Sequence, residues 1–521
     1  MRRLAAILFT LLLATGCAHH RHDDKQIFRY NESAGIATLD PAFAKDQSII
    51  WPCRQLYNGL VQLDTALQVE PCIAKRWTIS PDGLTYTFTL RDDVRFHNGR
   101  TVNASDFLYS FQRIVDPSVM SPGAWIFHDV DRFEATDDTT FVIHLKSPFS
   151  PFLSQLGMVY CSVVPREEVE RYGKEFRSHP CGTGPFRFQY WKEGVKLVLR
   201  RNPDYFEQGL PYLDAVAVTF IVDKQTVFLE FVKGNLDFMN SLDASYKDEL
   251  LNLDGTLKDK YAGRIRMEST PYLNTEYLGF RMEGEESPLN DVRIRQAISC
   301  GFDREKMMRY LRNNVGQPGL YGFVPPSLLA SSATQASPFN TYDPDRARRL
   351  LAEAGYPNGQ GLPSLTLSTT SSYLDLCKYI QQQLGLIGID VKVDVNPPAA
   401  LREHMAQGQV QWFRGSWVAD YPDAENYLSL FYSPNRAPAG PNYTRFADRR
   451  FDRLYLEARR ETDPDRRLRL YREMDSLIMQ QAPVMVLYYD QILHFTHPNV
   501  TGLRSNAMNT LDLRYVQIKQ Q

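Results

Sequence analysis

The chain has 521 residues, 43% hydrophobic and 12% aromatic, with 59 basic against 61 acidic side chains and a formal net charge of −2. That length is too great for one hydrophobic core and calls for about two to four structural units. A mean hydropathy of −0.37 with one short apolar run excludes a multi-span membrane protein, the near-neutral charge argues against a nucleic-acid partner, and the apolar and aromatic content excludes a disordered or collagen-like chain.

Arg2 and Arg3 precede an apolar run over residues 4–13, then Ala14-Thr15-Gly16 and Cys17. The run is shorter than the roughly 20 residues that span a bilayer, and reads as a secretory signal. Residues 14–17 resemble a bacterial lipobox, whose cysteine becomes diacylated and is the new N-terminus after cleavage. Ala14 stands where that pattern prefers Leu, and a conventional signal cleaved nearby is the alternative. Cys17 is thus the expected lipidation site, and two to three acyl chains anchor stably at about 0.8 kcal/mol per buried methylene. Residues 18–24, with His19, His20 and His22, read as a polar tether rather than a metal site. Loss of Arg2 and Arg3 with the signal leaves a net charge of about −4. Export places Cys53, Cys72, Cys161, Cys181, Cys300 and Cys377 in an oxidising compartment. Cys53 with Cys72 and Cys161 with Cys181 are the nearest in sequence, which leaves their pairing open.

In chain order, residues 26–31 read as a short strand and 48–60 as a helical stretch after Leu39-Asp40-Pro41. Residues 85–90 alternate with period two behind the turn signal Pro81-Asp82-Gly83 and predict a strand. Residues 104–114 have apolar side chains at helical spacing, with Asn103 or Ser105 as cap. Residues 140–145 and 195–200 alternate as strands. The second half turns helical: 291–298, a helix opened by Asp303, 343–354 ending at Gly355-Tyr356-Pro357, 373–384 running into a strand at 389–395, and 466–480 before Pro483. Strands and helices alternate without a fixed repeat, which predicts an α/β protein and excludes a solenoid.

Catalytic signatures are absent from the sequence: there is no GxSxG elbow, HExxH, P-loop or GxGxxG. Gly182-Thr183-Gly184-Pro185 is a turn, because Pro185 and Phe186 follow the glycines. No catalytic residue, cofactor or metal ligand is expected, and His494 with His497 is a weak metal candidate.

Several segments together resemble the family 5 extracytoplasmic solute-binding proteins of peptide-type ABC importers. They are Leu39-Asp40-Pro41, Leu56-Tyr57-Asn58-Gly59-Leu60, residues 74–90 with the Pro-Asp-Gly-Leu-Thr-Tyr-Thr-Phe core, and Arg95-Phe96-His97-Asn98-Gly99-Arg100 with residues 106–111. The glycine turn at 182–186, Arg201-Asn202-Pro203-Asp204-Tyr205-Phe206, residues 290–298 and residues 347–356 complete the set. Turns, caps and packing account for most of these motifs one by one. Their order and spacing carry the resemblance, which extends from about Phe28 to Tyr515.

The resemblance implies a two-lobed α/β periplasmic-binding-protein-like fold with a ligand cleft between the lobes and a hinge of two crossing segments. Residues 1–16 would be the signal peptide and 17–26 the lipidated tether. Lobe I would comprise 27–57, 182–273 and 488–521, with a subdomain of residues 58–181 inserted, and lobe II would be 274–487. It implies a lipid-anchored monomer at the extracytoplasmic or periplasmic face, touching the membrane through its anchor only, that delivers oligopeptides to ABC permease and ATPase subunits.

The segment from Arg414 to Pro422 resembles the family's ligand-binding strand. By that resemblance Asp420 pairs with the peptide α-ammonium, which needs a partner when it enters a closed cleft. Gly415, Ser416, Trp417 and Val418 offer backbone to an extended peptide, and Trp417 walls a side-chain pocket. Lys45, Asp46 and Gln47 face the peptide's other edge, while Arg414 is placed to fork onto a carboxylate. Tyr277 and Tyr489 match aromatic cleft positions. The stretch 369–376 lacks the Arg or His that some members use for the peptide carboxylate, and Pro397-Pro398 replaces a family tryptophan. The first departure favours a longer or less strictly anchored ligand over a dipeptide, and the second implies that one pocket wall differs. Three other readings remain at this stage: another cargo in the same fold (a nickel complex, haem, an oligosaccharide or a signalling peptide), a secreted hydrolase, and a surface lipoprotein that transports nothing.

Overall fold

Strand Ile27–Asn31 pairs in parallel with Ala215–Thr219, from Ile27 opposite Ala215 to Asn31 opposite Thr219. Lys196–Arg201 and then Phe186–Lys192 extend this sheet antiparallel to four strands. The computed structural model describes residues 25–519 apart from 241, 244, 285–286 and 330–335. The signal, Cys17 and the histidine-bearing tether lie outside the described residues.

Between the first strand and its partners in sequence lies a second, antiparallel sheet, ordered Ala74–Ile79, Thr85–Leu90, Thr140–Leu145, Val130–Ala135. The alternation seen in residues 85–90 has the expected consequence: Tyr86, Phe88 and Leu90 point into the core. Helix Ala104–Val115 covers this sheet. Its cap is Asn103, whose side chain accepts from the Asp106 amide while the Asp106 carboxylate accepts from the Asn103 amide. One continuous apolar core joins the two sheets.

The third sheet is mixed, ordered Phe238–Asn240, Val484–Thr496, Arg266–Phe280, Trp412–Val418, Leu365–Thr369, Val391–Val395, with Gln317–Pro318 beside Val484–Thr496. Helices Val292–Cys300, Arg304–Arg312 and Pro344–Glu353 begin at Asp291, Asp303 and Asp343, each accepting a first-turn amide. Separate apolar clusters lie on the two faces of this sheet. The molecule is therefore a two-lobed α/β protein, with the first two sheets in one lobe and the strands Trp412–Val418, Leu365–Thr369 and Val391–Val395 of the third in the other.

Two differences from the sequence reading have local causes. The helix expected over 48–60 spans Gln47–Leu56, because Tyr57 turns extended and its hydroxyl donates to the Leu39 carbonyl at 3.0 Å. The longest strands, Arg266–Phe280 and Val484–Thr496, gave no periodic signal because long stretches of them are buried on both faces. They pair antiparallel along their length, and their register shifts between Pro271 and Thr275.

The turn at Gly182-Thr183-Gly184 is enforced by contact. A Cβ on Gly182 would lie 2.1 Å from the Leu56 carbonyl oxygen, and one on Gly184 2.4 Å from the Leu56 carbonyl carbon. Residues 26 and 518 meet, with the Ile518 amide donating to Gln26 Oε1 at 3.0 Å. The six cysteines from Cys53 to Cys377 are all buried free thiols. Burial pushes the thiols of Cys72 and Cys181 up to about 12. His494 lies between Ser505 Oγ (2.8 Å) and Asn509 Oδ1 (3.0 Å), and His497 near the Phe231 and Arg264 carbonyls, so both rings have structural partners.

Candidate functional site

Strand Trp412–Val418 pairs along its length with Arg266–Phe280, from Phe280 opposite Trp412 to Asn274 opposite Val418. Its other edge meets Leu365–Thr369 only at Ser368 opposite Phe413. From Arg414 onward that edge has no strand partner among the described residues. Side chains alternate as in a half-buried strand: Phe413, Gly415 and Ala419 are buried, while Ser416, Val418 and Asp420 are exposed. Gly415 lacks a side chain because Tyr277 occupies the space, its Cζ 2.6 Å from where a Cβ would stand.

Asp420 ends this ledge. Its amide donates to Asn426 Oδ1 at 3.1 Å, and its Oδ2 accepts from Asn426 Nδ2 at 3.3 Å. Trp417 Nε1 donates to the same Asn426 Oδ1 at 2.9 Å. The Asp420 carboxylate is open to solvent, yet the surrounding protein raises its pKa by desolvation, an effect the Asn426 bond partly offsets.

Across from it, Tyr160 is held in an environment where burial first, then the charges of Asp420 and Asp46, push its phenol upward. Asp46 and Asp420, 374 positions apart, thus flank one tyrosine. Asp46 opens helix Gln47–Leu56 without spending its carboxylate on the cap. Lys45 is exposed, and Gln47 Nε2 donates to the Asn509 carbonyl at 3.3 Å. Trp125 and Tyr421 also meet, rings 6.2 Å apart.

Arg414 is differently placed from the expectation of a free fork. Its guanidinium is bonded to Glu276 with both side chains buried, and it lies 3.2 Å over the Tyr373 ring. The carboxylate offered to it is the protein's own. Burial pushes the Glu276 carboxyl upward, and Arg414 pulls it back. Beside this pair Arg312 bonds Asp490 at 2.5 Å and lies over the Tyr488 ring at 4.2 Å, so two arginines balance two carboxylates. Tyr277 and Tyr489, expected in the cleft wall, are each only 4% exposed. Tyr277 packs edge-on to Phe323, and the Tyr489 hydroxyl donates to the Gly322 carbonyl at 2.5 Å. Both are core side chains, because the strands that carry them are covered on both faces.

Nearby, buried Asp475 accepts the amides of Phe323 (2.8 Å) and Val324 (3.1 Å), and burial raises its pKa to about 7. A second link joins the lobes. Arg459 bonds Asp129 at 2.5 Å, its guanidinium lies 4.5 Å over the Phe149 ring, and its Nε is 3.8 Å from buried Glu425. The Ser150 amide and hydroxyl donate to the carbonyls of Arg459 (3.0 Å) and Glu461 (2.6 Å).

Glu276, Asn426, Tyr160, Arg312 and Asp490 were not singled out by sequence reasoning. Only Asn426, six residues from Asp420, lay close enough in sequence to be suspected.

A ledge of strand with one open edge, an acid at its end and the opposite lobe facing it makes up the candidate site. The family of bacterial extracellular solute-binding proteins, family 5 (middle), matches residues 68–439, and the chain belongs to that family. Among curated relatives, the glutathione-binding protein GsiB of Salmonella typhi is 29% identical over 475 residues, covering 90% of each chain. Among solved structures, the ABC transporter-associated periplasmic binding protein DppA from Helicobacter pylori, in complex with the peptide STSA, superposes with a TM-score of 0.80 at 26% identity. The match covers 96% of this chain and 100% of that one. The Escherichia coli murein tripeptide binding protein MppA gives 0.79 at 26% identity, over 96% and 99%. The chain is thus an extracytoplasmic solute-binding component of an ABC importer, which sets aside the hydrolase and the lipoprotein that transports nothing.

Proposed function

We propose that the chain captures short extended peptides that carry a free α-ammonium, and hands them to an ABC permease whose partner subunits hydrolyse ATP. The observation that carries this reading is the open edge of Trp412–Val418 running into Asp420. A peptide laid there adds a strand, so its backbone contributes affinity whatever its side chains, and its ammonium reaches a carboxylate that is already partly desolvated. Trp417 borders a side-chain pocket, and Lys45, Asp46 and Gln47 close on the peptide from the other lobe. The ribbon of Arg266–Phe280 and Val484–Thr496, broken in register near residue 273, is the hinge between 27–57, 182–273 and 488–521 on one side and 274–487 on the other. Arg414, bonded to Glu276, supports the ledge from beneath. Cys17 carries the lipid anchor.

The names of the relatives support peptide-like cargo: one binds glutathione, one was solved with a peptide, and one binds murein tripeptide. Calorimetry with trialanine, its N-acetylated form and glutathione tests the reading. Acetylation or Asp420→Asn is expected to weaken binding by about 10- to 150-fold, the worth of a charge-assisted hydrogen bond. Equal affinity for the free and acetylated peptides overturns it. Intact-mass analysis of the Cys17→Ala protein, expected to lose the acyl mass and leave the membrane fraction, tests the anchor.

A further inference from the structure

Asn426 is 4% exposed and lies in the short helix Ala424–Leu428, which Asp423 starts by accepting the Glu425 amide at 2.9 Å. Tyr471 donates to the same Asp423 oxygen at 2.7 Å, which ties the helix start to Pro464–Gln481. The Asn426 hydroxyl-free amide has a single orientation that satisfies its neighbours. Trp417 Nε1 and the Asp420 amide are both donors, so the atom between them is the oxygen, and the nitrogen is left facing the Asp420 carboxylate.

We infer that Asn426 is a positioning residue for ligand recognition: one buried amide fixes the Trp417 indole, the Asp420 backbone and one Asp420 carboxylate oxygen, and leaves the second oxygen for the ligand's ammonium. This rests on the peptide reading above and goes beyond it, because it couples the ammonium site to the pocket wall. A carboxylate held in one rotamer before the ligand arrives loses less freedom on binding, and so retains more of its hydrogen-bond energy as affinity. Saturating Oδ2 with a neutral donor also keeps the group charged without competing for the ammonium. The titratable groups that face Asp420 are Tyr160 from the opposite lobe and Tyr427 from the same helix. Both phenols are held above their ordinary range, so neither changes charge between pH 5 and 8. Trialanine's own amine titrates near pH 8 and does so equally with every variant, so a difference in the acidic midpoint between variants reports Asp420 itself.

The test is calorimetry of trialanine and N-acetyl-trialanine between pH 5 and 8 on the full mature protein, its Asn426→Leu and Asn426→Asp variants, and Asp420→Asn. In Asn426→Leu the preference for the free amine is expected to fall about tenfold. The acidic midpoint of trialanine binding is expected to rise, because the donor that favours the ionised acid is gone. Asn426→Asp keeps both acceptor contacts, and with them the local fold, but sets a like charge against Oδ2, and it is expected to raise the midpoint further. A merely structural role would weaken both peptides alike and leave the midpoint unmoved, which overturns the inference; so does an unmoved midpoint in Asn426→Asp should the Leu variant not fold. If Asp420→Asn abolishes the free-amine preference while both Asn426 variants match the unaltered protein, the peptide reading stands and this inference fails. If the unaltered protein does not distinguish the two peptides, both fail.

Discussion

In the lobe that holds the second sheet, Phe107, Phe111, Phe127, Phe133 and Phe141 meet ring to ring with centroids 4.8–6.4 Å apart. In the other lobe, at the ledge, the groups beneath the surface are charged, Glu276 on Arg414 and Arg312 on Asp490, with the exposed Asp420 at the end. Aromatic burial is favourable in any orientation that packs, whereas buried charge is costly unless each group has its partner. The first arrangement gives stability alone. The second concentrates cost beside the cleft, where a fixed charge pattern can select a ligand.

The contrast can be broken at either end. Phe111→Ala removes a fully buried ring that touches four others, and is expected to cost about 3–5 kcal/mol in denaturant unfolding while the refolded protein keeps its ligand affinity. Glu276→Leu leaves Arg414 buried and unpaired, with an expected loss of about 3 kcal/mol. The double variant Glu276→Leu/Arg414→Met should recover most of it, and a double that stays as unstable as the single would show that the pair's geometry, not its charge, matters.

Asp475 gives an effect that is spread over pH. Its folded pKa, about 7, lies above the unfolded value near 4, so the folded state holds the extra proton between them. Its contribution to stability is fully present below about pH 4 and falls, by at most about 1.4 kcal/mol per unit, as pH rises toward 7. Asp475→Asn should flatten that slope in melts across the window, and an unchanged slope would assign it to another group. Least of all, Arg459→Ala removes a partly exposed clasp at the rim between the lobes, worth roughly 1 kcal/mol. It should widen the ligand-free particle in small-angle scattering without lowering the melting temperature by more than a degree or two.

What was legible in the sequence was mostly local. Asn103, Asp291, Asp303 and Asp343 act within one turn of themselves, so each announced its helix. Residues 85–90 and 140–145 alternate because one face of their sheet is wet. The glycine turn was readable as a turn, but the reason for glycine lies in the backbone at Leu56, over 120 residues away. Asp420 was reached through resemblance to a family, and its support through the structure. Glu276 and Arg414 are separated by 138 residues, and nothing near either one points to the other. Tyr277 and Tyr489 were misplaced because a tyrosine on a strand buried on both faces looks, in sequence, like one on a cleft wall.

The first strand, Ile27–Asn31, has its one sheet partner among the described residues at Ala215–Thr219, and Gln26 is bonded to Ile518. A chain threaded outward from its N-terminus cannot complete either contact until some 190 and then some 490 further residues have followed. The lobe that begins the sequence is therefore closed by residues from its end. Contacts this distant form slowly, so that closure trails the local structure of the segments between.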